Sequence, residues 1–178
     1  MSNEIISNEK INEEKLDNAI NIITNLQQEL LSCIESGCGP FLAAIYDKNN
    51  NLIAKSANSV VSEKCSNNHA EINTIKLAQN KLQSYDLSSF DLSIYVTAEP
   101  CMMCLGAIMW SGIKNLYYGV PSKIVEEITG FDEGFKPNWL DEFKKRGIIA
   151  YGNIVPDIGI EQLKKYVNSN REIYKPSR

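Results

Sequence analysis

Short apolar runs of strand length alternate with amphipathic helical segments along almost the whole chain, and this alternation restricts the fold more than any other feature. From Leu16 the apolar positions are Leu16, Ile20, Ile23, Leu26, Leu30 and Ile34, at gaps of 4, 3, 3, 4 and 4 residues, which places them on one face of a helix. Gly37 and Gly39-Pro40 end it. Phe41–Tyr46 reads as a strand, 47–51 as a polar turn, and Leu52–Ser59 as the returning strand of a hairpin. Ser66-Asn67-Asn68 offers N-cap side chains to a second helix bearing Ile72, Ile75, Ala78 and Leu82. Further strands are predicted at Asp91–Val96, Leu116–Val120 and Ile148–Gly152. A third helix opens at Pro100 and runs to Ser111-Gly112, a helical segment lies near Asn138–Arg146, and a last helix covers about Ile160–Asn168 before the tail that ends at residue 178. Residues 1–12 are expected to be a loose polar lead-in. Strands interleaved with helices place residues 1–178 in the α/β class, as one domain: a three-layer α/β/α sandwich around a five-stranded mixed sheet.

With 43% apolar and 22% charged residues over 178 positions, the chain has ordinary globular composition and the length to bury a core without disulfides. Its net charge is −4. A surface built to grip a phosphate backbone is usually basic, so small-molecule partners are expected and nucleic acid is disfavoured. No signal-like apolar run follows the polar first residues, and no stretch approaches the roughly 18 apolar residues of a membrane span. A cytoplasmic location without membrane contact is therefore expected. In such a reducing compartment the five cysteines read as metal ligands or as buried small apolar residues.

Two short motifs carry the chemistry. His69-Ala70-Glu71 opens the second helix and Pro100-Cys101-Met102-Met103-Cys104 opens the third. Cysteines at i and i+3 share a helix face, and a helix N-terminus stabilises thiolates through its free N–H groups and dipole. If the two N-termini point at one spot, His69, Cys101 and Cys104 supply three zinc ligands and leave a fourth position for water, whose pKa zinc lowers to about 7. Glu71, two residues beyond the histidine, is then placed to move protons without occupying the metal. The lone histidine excludes the H-E-x-x-H zinc-protease pattern. Two other readings remain open. A C-x-x-C after a strand also suits a redox pair, and a structural zinc could take a fourth ligand from Cys33, Cys38 or Cys65. Both leave H-x-E without a job. Cys33, Cys38 and Cys65 are expected to be buried, and Met102 and Met103 to pack.

The H-x-E and P-C-x-x-C pair is the known signature of zinc nucleobase deaminases. From about Gly39 onward the chain resembles the cytidine-deaminase-like superfamily. "HAE" and "EPCMMCLGAI" are similar to the branch holding guanine deaminases, yeast-type cytosine deaminases and bacterial tRNA adenosine deaminases. Gly39-Pro40-Phe41 resembles the strand entry of guanine deaminases, with Leu42 in place of a glycine. The resemblance implies that Asn58 hydrogen-bonds the base, that the Ala70 backbone helps to orient it, and that Phe41 lines the site. It implies that Trp110, in Gly106-Ala107-Ile108-Met109-Trp110, stacks on the purine. Gly130-Phe131-Asp132-Glu133-Gly134-Phe135 resembles a guanine-deaminase segment whose acidic residue reads the base, which assigns that role to Asp132 and Glu133; a solvated turn is the other reading. Tyr174 corresponds to a C-terminal tyrosine that reaches a pocket, in some members the partner subunit's, although a tail tyrosine also suits plain exposure.

The tRNA enzymes carry an arginine after the third helix and then a glycine- and alanine-rich stretch, where this chain has Gly112 and later Pro121-Ser122-Lys123. The resemblance therefore implies a zinc-dependent hydrolytic deaminase of a free nucleobase or nucleoside, guanine to xanthine and ammonia foremost, with one zinc per subunit, Glu71 as the proton carrier and a homodimeric assembly. The alternatives are a cytosine deaminase, a tRNA adenosine deaminase and, outside the enzymes, a zinc or redox module.

Overall fold

The computed structural model describes residues 6–174; the expectations for residues 1–5 and 175–178 lie outside them. In chain order the elements are β1 (Ile6–Ser7), α1 (Glu13–Glu35), β2 (Leu42–Tyr46), β3 (Leu52–Ala57), α2 (Val60–Glu63), α3 (Ala70–Leu82), β4 (Ser93–Ala98), α4 (Met102–Ser111), β5 (Asn115–Val120), α5 (Ser122–Thr129), α6 (Trp139–Lys145), β6 (Ile149–Gly152) and α7 (Pro156–Asn168). The strands form one mixed sheet in the order β1-β6-β5-β4-β2-β3. β4, β5 and β6 are parallel, while β2 is antiparallel to both β3 and β4.

Strand alternation builds the layers. In β2, Ala43 and Ile45 face one core, and Leu42 and Ala44 face the other. Ile94 and Val96 oppose Tyr95 in the same way, as do Leu116 and Tyr118 against Tyr117. The first core packs α3, α4 and α6 through Ile75, Ile108 and Phe143. The second packs α1 and α7 through Ile23, Leu26, Leu30 and Tyr166. Beneath α1, Tyr46, Tyr95, Tyr117 and Tyr151 run across four strands, with successive ring centroids 5.6, 4.8 and 5.3 Å apart. The three-layer α/β/α sandwich thus forms as the alternation predicts.

Four elements differ from the expectation. The sheet has six strands rather than five, because Ile6 and Ser7 of the lead-in pair antiparallel with Gly152 and Tyr151. Asn8 fastens that segment, its side-chain amide donating to the carbonyls of Leu140 and Ile148. Two helices, α2 and α5, occupy segments with no helical expectation. α7 begins at Pro156 rather than near Ile160, with the proline in the first turn, where its missing N–H costs nothing.

Candidate active site

Topology brings four chain segments to one edge of the sheet. β3 and β4 are both antiparallel to β2, so they run the same way and their C-terminal ends share that edge with the entry to β2. The segment after β3 leads into α3, and the segment after β4 leads into α4. β5 is parallel to β4, so its exit into α5 and the following 130–134 loop lies there too. A binding site beyond the carboxyl ends of parallel strands is the usual consequence of such a sheet.

His69 and Cys101 occupy equivalent places. Each is the N-cap of its helix, in extended conformation, with φ −69° and ψ 155° for His69 and φ −68° and ψ 171° for Cys101. Neither side chain caps its own helix, so each is free to turn toward the other. His69 Nδ1 lies 3.6 Å from Cys101 Sγ and 3.6 Å from Cys104 Sγ, and the three ligand atoms lie within 4.8 Å of one another. One ring nitrogen has one lone pair and cannot accept from two thiols at once. The distance suits a shared cation, since tetrahedral zinc with Zn–S about 2.3 Å and Zn–N about 2.0 Å has an N-to-S edge of about 3.5 Å. The trio fits zinc by donor type, count and spacing. The hydrogen bond from Cys104 and the neighbouring His69 hold the Cys101 thiol well below its ordinary value, whereas the same bond and burial push Cys104 up. Burial lowers His69, but Cys101 and the carboxylates of Glu71 and Glu133 outweigh it and raise the ring.

Glu71, in the first turn of α3, is 5% exposed. Burial, and next the Cys101 thiolate, raise its carboxyl above the ordinary range. It borders the same cavity of about 580 Å³ as His69 and Cys101. A raised, buried carboxyl beside a metal-ligand trio is suited to passing protons.

The cavity also takes Asn58, Phe41, Asp132, Glu133 and Tyr174. The rings of Phe41 and Phe131 stand 5.6 Å apart at 55°. Asn58 is packed against Gly39, where a Cβ would come within 2.6 Å of Asn58 Oδ1. Asp132 Oδ1 accepts from the Gly134 N–H at 3.0 Å. Glu133 is held up at about 7, first by burial, with Lys136 acting in the opposite direction. Tyr174 reaches the cavity of its own chain; Arg171 fastens the tail to the Glu35 carbonyl and Tyr166 Oη donates to the Glu172 carbonyl at 2.6 Å.

Two expected base contacts are not on the cavity wall. Trp110 is 84% exposed, and nine residues of helix separate it from Cys101 and carry it roughly 13 Å along α4. In its own chain it does not reach a base at the trio. Ala70 is fully buried in the first core, so its methyl serves packing and only its backbone is left for the site. Cys33, Cys38 and Cys65 are half-buried rather than buried; Cys65 donates to Asn67 Oδ1 at 2.8 Å. Met102 and Met103, expected to pack, line the cavity, as do Glu99 and Glu172. The Glu99 carboxylate had a signal in its place beside Pro100-Cys101, whereas Glu172 had none beyond its nearness to Tyr174.

Residues 18–132 match the MafB19-like deaminase family, well over half of the chain. The chain belongs to that family. It is 35% identical to guanine deaminase of Bacillus subtilis over 114 residues, covering 63% of this chain and 71% of that protein. A solved guanine deaminase from Nitrosomonas europaea superposes with TM-score 0.79 and 33% identity, over 92% of this chain and 88% of that one. A crystal structure in complex with 2,6-diaminopurine gives TM-score 0.82 at 36% identity, over 88% and 85% of the two chains. The chain is 41% identical to the tRNA-specific adenosine deaminase of Rickettsia typhi over 75 residues, covering 42% of this chain and 49% of that protein. The trio and Glu71 thus stand in a hydrolytic deaminase of C–N bonds.

Proposed function

We propose that this deaminase converts guanine to xanthine and ammonia, with zinc held by His69 Nδ1, Cys101 Sγ and Cys104 Sγ. The observation that carries the reading is the cavity itself: His69, Cys101 and Glu71 border it together with Asp132 and Glu133 of the 130–134 loop, and the fully buried Cys104 completes the trio. A free guanine presents its amino group and ring N–H groups as donors, which carboxylates accept. Its flat apolar faces suit the space between Phe41, Phe131 and the methionines. The relatives named as guanine deaminases and the structure with 2,6-diaminopurine support a purine.

When bound, zinc supplies the Lewis acidity that lets water act as a nucleophile near neutral pH. Glu71 takes a proton from the attacking water as the water oxygen bonds to C2, passes it to the adjacent ring nitrogen, then takes the remaining proton from the new C2 hydroxyl and delivers it to the leaving amine. The C2–N bond then breaks and ammonia departs. Asn58 orients the base by its side-chain amide, and Glu133 and Asp132 hold the N–H edge. The first-turn N–H groups of α4 are placed to steady the developing negative charge.

The acidic wall and the tail that reaches the cavity both disfavour a tRNA anticodon. A homodimer is part of this proposal, supported by apolar side chains left exposed on adjacent helices: Leu77 on α3 (48%) with Met103 (39%) and Trp110 on α4. So is a cytoplasmic setting, where ligand thiols stay reduced; no described helix is long and apolar enough to cross a membrane. Ammonia release should be measured across guanine, 2,6-diaminopurine, adenine, isoguanine, cytosine and the nucleosides. Guanine should turn over fastest. Turnover of cytosine or adenosine alone would overturn the assignment.

A further inference from the structure

The loop that presents Glu133 to the cavity is joined to the metal-bearing edge by one buried lysine. Lys136 Nζ donates to Glu99 Oε1 at 3.3 Å and stands 3.8 Å from Glu133 Oε2. The three side chains are buried to a similar degree, at 10% exposure for Lys136, 11% for Glu99 and 12% for Glu133. Lys136 does not border the cavity, so it touches no substrate there.

Glu99 is the fixed partner. It directly precedes Pro100-Cys101, and its N–H donates to the Val120 carbonyl at 2.8 Å. Its Oε2 accepts from both the N–H and the hydroxyl of Ser122, at 3.0 and 3.1 Å. One carboxylate therefore bridges the end of β4 and the start of α5. Its remaining oxygen receives Lys136, 37 residues away. Elsewhere the loop is held by bonds to its own neighbourhood: the Glu133 N–H to Glu126 Oε1 and the Gly134 N–H to Asp132 Oδ1.

The division of the charge matters. The Lys136 ammonium has donors enough for both carboxylates but does not serve them equally. It is committed to Glu99 at hydrogen-bond distance and only near Glu133, so Glu133 keeps its accepting oxygens for the N–H edge of a base while still paired enough to stay buried. We infer that Lys136 is a positioning residue, anchored on Glu99, that places Glu133 against the N–H edge of the substrate and leaves it free to accept. This rests on the proposed reading of Glu133 as a base-reading carboxylate.

Lys136→Met keeps the length and the burial of the stem but removes the ammonium, while Lys136→Arg restores a donor. The measurements are guanine KM and kcat, calorimetric binding of 8-azaguanine, zinc content and melting temperature, all on the metal-loaded protein. Lys136→Met should raise KM and weaken 8-azaguanine binding about 10- to 100-fold, as expected for loss of a charge-assisted contact, with zinc content unchanged and kcat moved less. Lys136→Arg should recover much of the binding. Should Lys136→Met fold poorly, Glu99→Gln supplies the second arm: freed from its anchor, the lysine closes on Glu133, and KM rises without any loss of the ammonium. A KM unmoved in a folded Lys136→Met protein, or a fall in kcat and melting temperature alone, overturns the inference while leaving guanine deamination intact. If wild-type protein neither binds 8-azaguanine nor deaminates guanine, the proposed function has failed, and this inference falls with it.

Discussion

His69 Nδ1 and Cys104 Sγ stand 3.6 Å apart although 35 residues separate them in the chain, because two helices begin at the same sheet edge. The spacing suits a shared cation. His69→Ala should therefore remove zinc and activity together, and no other histidine exists to replace it. Metal analysis of purified wild-type protein should return one zinc per chain, and the variant close to none. Because a metal that binds only the folded state stabilises it by mass action, a chelator should lower the melting temperature of wild type and leave His69→Ala unmoved. Full activity in metal-free protein would sink the assignment.

Glu71 separates the two tasks of the site. It borders the cavity with His69 and Cys101 but offers no ligand atom within the group, so Glu71→Gln should retain zinc while kcat falls by about 10²- to 10⁴-fold, the range for loss of a positioned acid/base group. Metal content and 8-azaguanine binding, measured on the same preparation, show whether the loss is confined to proton transfer. Loss of zinc in this variant would instead make Glu71 a ligand.

The residues that carry the chemistry were legible because their signals are local. H-x-E and P-C-x-x-C each lie within one helical turn, and the apolar spacing around them marks helices with their N-termini toward a common edge. The unread parts depend on contacts across the chain. β1 is two residues long, and its partner, Gly152 for Ile6, is nearly the full chain away. α5 has a proline at its N-cap and only eight residues, too few for a periodic signal. Trp110 was assigned by resemblance, yet the length of α4 sets it apart from its own trio. Nothing in the spacing of Glu99 and Lys136 announces their contact; only the return of the 130–138 loop to the residue that follows β4 makes it.

Glu133 gives the protein a pH-dependent stability. Burial first, and then the Cys101 and Glu71 charges against Lys136, set its carboxyl at about 7 in the folded chain, up from 4.5. Between those values the folded state holds a proton that the unfolded state has released, so stability falls as pH rises. The contribution is fully present below the unfolded value and lost as pH passes 7. Glu133→Gln cannot titrate. The stability of wild type relative to this variant should therefore increase by at most about 2 to 3 kcal/mol between pH 7.5 and 5. Denaturant melts of both proteins at matched pH test it, and parallel curves for the two proteins would show that Glu133 is not held in this way.

Gly39 sets the position of Asn58. The Gly39 N–H donates to the Asn58 carbonyl at 3.0 Å, and Asn58 Oδ1 accepts from the Val60 N–H at 3.2 Å. A methyl on Gly39 would meet that oxygen at 2.6 Å and the side-chain carbon behind it at 2.9 Å, closer than atoms pack without movement. The amide has to turn away from its present place on the cavity wall. Gly39→Ala should cost about 1 to 3 kcal/mol as overpacking does, and raise the KM for guanine about tenfold if Asn58 contacts the base, the loss of one hydrogen bond to a neutral group. Asn58→Ala should raise KM by a similar factor. Because both variants act through the same amide, the double variant should be no worse in KM than Asn58→Ala alone, a non-additivity expected of residues in contact. Additive effects on KM would place Gly39 and Asn58 in separate roles.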